Sequence, residues 1–255
     1  MAITIKSDRE IERMRAAGRV VARCHERVAA AIAPGVTTAE LDALVRDTLR
    51  EHDAVSSFLG YRGFPGTICA SVNEEIVHGI PGSRRLQDGD IISVDIGAIV
   101  EGWHGDSAWT YAVGQISEEA RRLLADTEAA LYEGIRHARA GSRLGAVSHA
   151  VEAFAMARGY GVVRNYGGHG IGRRMHEDPH VPNYGDPGQG PVLRRGMTFA
   201  IEPMLTLGTE QTRELSDGWT VVTADGSLAA HFEHTIAVTE GEPVILTERV
   251  AEVVE

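Results

Sequence analysis

Five residues stand where a folded chain least easily holds them. Asp95 interrupts the apolar run Ile91–Val100, Asp106 lies in His104–Thr110, and His169 sits between glycines in Gly167–Gly172. Glu202 lies between Ile201 and Pro203, and Glu233 between Phe232 and His234. A carboxylate in an apolar strand loses its hydration and persists only when paired or metal-bound. Any one of these acids alone reads as a salt-bridged or edge residue. Four of them with a glycine-flanked histidine read as a metal centre, because cations remove the repulsion between clustered anionic ligands. Four carboxylates and one imidazole are too many ligands for one small divalent ion, so two ions are expected. The oxygen-rich set favours Mn²⁺, Fe²⁺, Co²⁺ or Zn²⁺ over a thiolate-type site.

The spacing allows a geometric check. Asp90–Val100 and Gly102–Val113 flank a turn at Glu101-Gly102 and read as a hairpin. Centring the hairpin there sets Asp106 opposite Gly97, two residues from Asp95 on the same face. The aspartates are then diagonal neighbours, about 7–8 Å apart along the backbones. Their side chains can reach two ions roughly 3.5–4 Å apart. Gly97 leaves room between them.

His78 and His176 are further candidates. An isolated loop histidine is more often plain surface, but near a dinuclear centre each could donate to a developing oxyanion. His25, His52, His104, His137, His149, His180, His231 and His234 are expected at the surface or in supporting positions. The glycines around His169 do not form a nucleotide cradle, since neither Gly-Lys-Ser/Thr nor a GxGxxG that opens a helix is present.

Composition narrows the partners. Arg and Lys number 25 against 36 Asp and Glu, a net charge of −11, and the basic residues are scattered. A duplex-binding surface needs them clustered, so nucleic acid is not expected as substrate. Cys24 and Cys69 cannot build a disulfide framework and are expected reduced. The start MAITIKSDREIERM lacks the apolar core of a signal peptide, and no apolar run approaches a membrane span, so the cytoplasm is the expected compartment.

The elements that must position these residues follow from periodicity. Helical patterns run over Ser7–Ala33, with a capping box at Ser7–Glu10, and from Thr38 to about His52. After the strand-like Thr67–Val72 and the hairpin, helical patterns return at Ser117–Ala138 and Leu144–Arg158. Glycine- and proline-rich loops are expected from Gly159 to Gly196, then strands at Met197–Thr206, Trp219–Thr223 and Ala229–Val238. Helix-helix-strand order thus occurs twice, without a linker and without identity between the halves. An α+β domain over 1–255, helices against one face of a mainly antiparallel sheet, fits this order.

At the stretches GYRGFPGTICASVNEEIVHGIPG, VDIGAIVEGWHGDSAWTYAVG, GGHGIGRRMHEDPHVPNYG, MTFAIEPM and DGWTVVTADGSLAAHFEHTIAVT, the chain resembles the methionine aminopeptidases of the creatinase-like, pita-bread fold. The resemblance implies a curved antiparallel sheet covered by two helix pairs in pseudo-two-fold halves. It implies Asp106 and Glu233 as ligands bridging two divalent ions, with Asp95 completing one and His169 with Glu202 the other. His78 and His176 match the family's substrate-polarising histidines, and Glu202 its proton shuttle. Tyr61, Phe64, Cys69 and Trp219, with Phe58, fall where the family builds its methionine pocket. Met175 stands where some members carry an aromatic residue. Only 25 residues separate His176 from Glu202, which leaves no room for the helical insertion of type II members, so the resemblance is to type I. The implied substrate is the N-terminal Met of nascent polypeptides, the implied state a monomer, with transient ribosome contact as a further expectation.

Two other functions remain open at this point. A proline-specific aminopeptidase shares the fold but usually adds an N-terminal domain. A metal-free binding module on the fold would be marked by lost ligands, and all five are present.

Overall fold

One apolar face on each predicted helix decides how the chain packs. The computed structural model describes residues 2–249. Helix α1 spans Asp8–Ala31, and Ser7 caps it in a reciprocal box with Glu10. It stops two residues short of the expected Ala33, because Ile32 turns extended ahead of Pro34. Helix α2 spans Thr38–Glu51, capped by Thr37 through Glu40. Helices α3 (Glu118–His137) and α4 (Leu144–Met156) form the second pair. Among the described residues no helix is long and apolar enough to cross a membrane.

Each helix pair buries its face against its own sheet. Val21, Leu41 and Val45 of α1 and α2 pack on Ile92, Val94 and Ile96 of the strand Ile91–Val100. With period two, that side of the strand turned to the helices leaves Asp95 on the opposite side. In the second half, Leu131, Val147 and Val151 of α3 and α4 pack on Phe199, Ile201 and Ile236. The faces of the two sheets turned away from the helices therefore meet at the centre of the fold, and Asp95 lies on that side.

The hairpin has the expected register. Ile91–Val100 pairs antiparallel with Trp103–Ala112, placing Gly97 opposite Asp106 and Asp95 opposite Ala108. Glu101 and Gly102 both have positive φ, +49° and +76°, the backbone that a tight two-residue hairpin requires. The room at Gly97 serves another purpose than the one expected. A Cβ there would stand 2.7 Å from Ser57 Cβ and 2.8 Å from the Phe58 ring, so the space is taken by these residues and does not lie between the aspartates.

All strand pairings among the described residues are antiparallel, but the sheet is divided into four hydrogen-bonded pieces. The two last expected strands are each broken. Met197–Thr206 becomes Thr198–Ile201 and Met204–Thr206, and Ala229–Val238 becomes Ala229–His231 and His234–Ala237. The first members of the broken pairs do not share a partner. Thr198–Ile201 pairs with His234–Ala237, and Met204–Thr206 with Ala229–His231. Pro203 has no N–H to continue a ladder, and its carbonyl accepts from Phe232 N instead. Glu202 and Glu233 thus sit side by side where both segments cross between sheets.

The glycine-rich stretch is also more ordered than expected. Gly167–Gly170 and Glu177–Pro182 are paired strands in the five-stranded sheet. Gly168 is required by close approach, since a Cβ would stand 2.1 Å from the carbonyl oxygen of Ala200. His169 is therefore held on a strand, and not in a free loop.

Candidate metal centre and substrate cleft

The acids meet because each sits on a different rigid element facing the central seam. The hairpin supplies Asp95 and Asp106, the short glycine strand His169, and the two strand crossings Glu202 and Glu233. Glu233 N donates to Ala108 O across the seam, and Ser107 Oγ donates to Glu233 O at 2.6 Å. Thr235 Oγ1 joins the Asp106 backbone from both sides, accepting from its N at 3.1 Å and donating to its O at 2.8 Å. Asp106 and Glu233 are thus fixed through their backbones.

Donor atoms of Asp106, His169 and Glu233 lie within 4.8 Å of one another. His169 Nε2 stands 3.7 Å from Asp106 Oδ2 and 3.8 Å from Glu202 Oε1. Its Nδ1 is 3.0 Å from the Gly170 carbonyl oxygen. A carbonyl only accepts, so Nδ1 carries the hydrogen and Nε2 presents a lone pair to the two carboxylates. An array of acceptors facing acceptors calls for a cation between them. Two donors each about 2.1 Å from one shared ion would stand about 3–4 Å apart, which these separations match. Asp95 Oδ1, Asp106 Oδ1 and Glu233 Oε1 are moreover buried without a hydrogen-bond partner, so the donor set fits divalent metal.

The electrostatics agree. Burial and the neighbouring Asp106 charge push Asp95 well above the usual carboxylate range. Burial, then Asp106 and Glu202, do the same to Glu233. Burial raises Asp106 to about 7, against hydrogen bonds with Asp95 and Glu233 that lower it. Glu202 rises to about 8, chiefly by burial. Without cations the cluster must therefore hold protons. Because the folded state then binds more protons than the unfolded chain, its stability falls as pH rises. The loss begins near the ordinary carboxylate values and runs through about 7 for Asp106 and about 8 for Glu202. Metal-free protein is expected to melt at progressively lower temperature over that window, and saturating Mn²⁺ should flatten the dependence. Thermal unfolding from pH 5 to 8.5 with and without metal checks this.

Above the acids opens a cleft of about 290 Å³. Phe58, Tyr61, Phe64, Cys69, Met175 and Trp219 wall one end of it. Phe64 meets Trp219 edge to face, with ring centroids 5.1 Å apart. Both cysteines are free. His176 stands at the lip, reaching solvent, with its ring centroid 4.1 Å from that of His169 and its Nδ1 2.9 Å from the Tyr61 hydroxyl. Desolvation, then the neighbouring His169 and Arg62, hold it well below the ordinary imidazole range. His78 lies across the cleft, edge-on to Tyr166 and Trp219, and burial lowers it to about 4. Its φ is +61°, a conformation that costs a non-glycine residue about 1–3 kcal/mol and that clusters at functional sites. The hydrogen bonds Gly79 N to Ser71 Oγ and Ala70 N to Gly79 O maintain it.

With this geometry, the comparisons with known proteins take on meaning. The model of metallopeptidase family M24 matches residues 12–240. The chain belongs to metallopeptidase family M24. A Bacillus subtilis relative named methionine aminopeptidase 1 is 53% identical over 245 residues, covering 96% of this chain and 99% of its own. The solved methionine aminopeptidase of Thermotoga maritima is 46% identical, with a TM-score of 0.96 over 97% of this chain and all of that one. A Bacillus anthracis Xaa-Pro dipeptidase shares the fold at a TM-score of 0.79 and 24% identity, and this chain covers 63% of it. The M24 chain has the pita-bread architecture that the resemblance implies.

All eleven residues expected to act, from Tyr61 to Glu233, line this one cleft. The structure adds others. Arg62, Val77, Tyr166 and Met204 also line it, and so does His231. Of the histidines expected at surface or supporting positions, His52, His137, His149 and His180 are exposed, whereas His25, His104, His231 and His234 are buried. Burial is explained for three of these by partners that no local pattern announces. His25 meets Tyr111 and Ser107, His104 meets Ser57, and His234 meets Thr247. His231 alone of the four has an unpartnered buried nitrogen.

Proposed function

We propose that the chain is a type I methionine aminopeptidase that hydrolyses the first peptide bond of nascent proteins whose second residue is small. The observation that carries it is the convergence of Asp95, Asp106, His169, Glu202 and Glu233 at the floor of a cleft with an apolar, sulfur-compatible wall. In this proposal two divalent ions are held, Asp106 and Glu233 contributing to both, Asp95 to one, and His169 with Glu202 to the other. When bound, such ions supply acidification of water and Lewis-acid polarisation of a carbonyl. The oxygen-rich donor set suits Co, Mn, Fe or Zn.

The chain's own groups do the rest. The Tyr61 hydroxyl meets His176 Nδ1 at 2.9 Å; in this reading the hydroxyl donates, which places the imidazole hydrogen on Nε2, free to donate to the oxyanion that develops at the methionyl carbonyl. His78, neutral because it is buried, meets the substrate backbone near the second residue. Glu202, at the cleft floor beside His169, is placed as the proton shuttle: its carboxylate would take a proton from the attacking water and return it to the leaving amine. Phe58, Tyr61, Phe64, Cys69, Met175 and Trp219 receive the thioether, to which aromatic edges are favourable. Since nascent chains that begin with methionine emerge from the ribosome, the proposal includes cytoplasmic action, as a monomer in transient contact with the ribosome.

Specificity tests this reading. Met at the first position is expected to be released faster than Leu, a shape difference worth about 1–3 kcal/mol. Ala, Gly or Ser at the second position should permit cleavage, whereas Lys, Glu or Phe should block it against His78. A panel of Met-X peptides with mass-spectrometric readout decides. Equal cleavage of Met-Ala and Met-Phe, or faster loss of Leu than Met, would show the pocket assignment to be wrong.

A further inference from the structure

His231 is a cleft residue whose chemistry remains unused. It is 2% exposed, and its Nε2 is buried without a hydrogen-bond partner. That atom lies 3.6 Å from Glu202 Oε2, while Glu202 Oε1 faces His169 Nε2 at 3.8 Å. The Glu202 carboxylate thus stands between two imidazoles, one oxygen to each. The backbone of His231 is fixed. It pairs with Met204 in the ladder, and Thr110 Oγ1 accepts from its N at 2.9 Å and donates to its O at 2.8 Å. Glu202 precedes Met204 by two residues, so the same ladder sets the distance between the two side chains. Asn183 Nδ2 donates to the Glu202 carbonyl oxygen at 2.9 Å and so holds its backbone.

We propose that His231 is a positioning residue: its Nε2–H donates to Glu202 Oε2 and so aims Oε1 at the ion shared with His169. The pair is beyond the usual N–H···O length of up to about 3.2 Å, and a small rotation of the Glu202 side chain closes it. A donor on one carboxylate oxygen removes the rotational freedom that the free carboxylate has, and it leaves the other oxygen to the metal. Outer partners of metal ligands act in this way and contribute about 10–100-fold to metal affinity. The inference rests on the metal-centre reading above.

The test is Mn²⁺ binding to the metal-free protein by titration calorimetry, with wild type, His231→Leu and His231→Gln. Wild type is expected to show two binding steps. His231→Leu should weaken one of them by about 10–100-fold, and His231→Gln, which keeps an N–H donor, should recover most of that loss. Unchanged binding in His231→Leu, equal weakening of both steps, or no recovery in His231→Gln would overturn the positioning role. If wild type binds no Mn²⁺, the metal-centre reading itself fails, a result distinct from these. Should His231→Leu not fold, the nitrogen-15 spectrum of the wild-type imidazole decides: a hydrogen on Nε2 is required, and a hydrogen on Nδ1 alone would refute the donor.

Discussion

Asp106→Ala and Glu233→Ala are each expected to lose both metal ions and to reduce methionine release by more than about 10²-fold, beyond the scale at which mere outer partners of ligands act. The expectation follows from position. Asp106 is buried between Asp95 and Glu233, with carboxyls near enough to share protons when no cation is present. Its Oδ2 also faces His169 Nε2 at 3.7 Å. A group with neighbours on both sides of the cluster serves both halves of it, so its loss is not confined to one ion. Asp95→Ala, at the edge of the set, should spare one ion. Elemental analysis of the purified variants, together with circular dichroism to confirm folding, separates the cases. An Asp106→Ala protein that retained two ions per chain would contradict the bridging assignment.

His176→Ala is expected to lower kcat by about 10²–10³-fold, the scale for one oxyanion donor, with a much smaller change in KM. Its metal content should match wild type. The reason is that His176 reaches the cleft from the lip, where Tyr61 orients it through Nδ1, and not from the buried floor. An interaction made only in the transition state appears in kcat and kcat/KM alike. Tyr61→Phe should produce a smaller loss of the same kind, because it removes the hydrogen bond that orients the imidazole. A His176→Ala protein that lost an ion would make the residue a ligand and displace the oxyanion role.

Most of the buried acidic cluster was legible in the sequence, because burying a charge is costly enough to mark each of its members against its apolar flanks. Asp95 and Asp106 could even be placed relative to each other, since Glu101-Gly102 fixed the hairpin register. The breaks at Glu202-Pro203 and Phe232-Glu233 were not legible. Each flanking segment has strand composition throughout, and the crossing arises only when two segments exchange partners between sheets. The tenant of the space at Gly97 was hidden for the same reason, since Phe58 comes from a distant loop. His231 looked like any histidine in an alternating run, and its neighbour Glu202 is 29 residues away along the chain. In each case the missing information was a long-range contact, on which local pattern is silent.

The central claim is that this cleft removes N-terminal methionine by means of bound divalent metal. The most direct measurement is methionine release from Met-Ala-Ser by enzyme stripped of metal with a chelator, before and after titration with Mn²⁺ or Co²⁺. The account predicts no release from the stripped enzyme, and restoration as metal is added, while a Pro-containing peptide and a Leu-starting peptide remain poor substrates. Full release by exhaustively metal-free enzyme would contradict it.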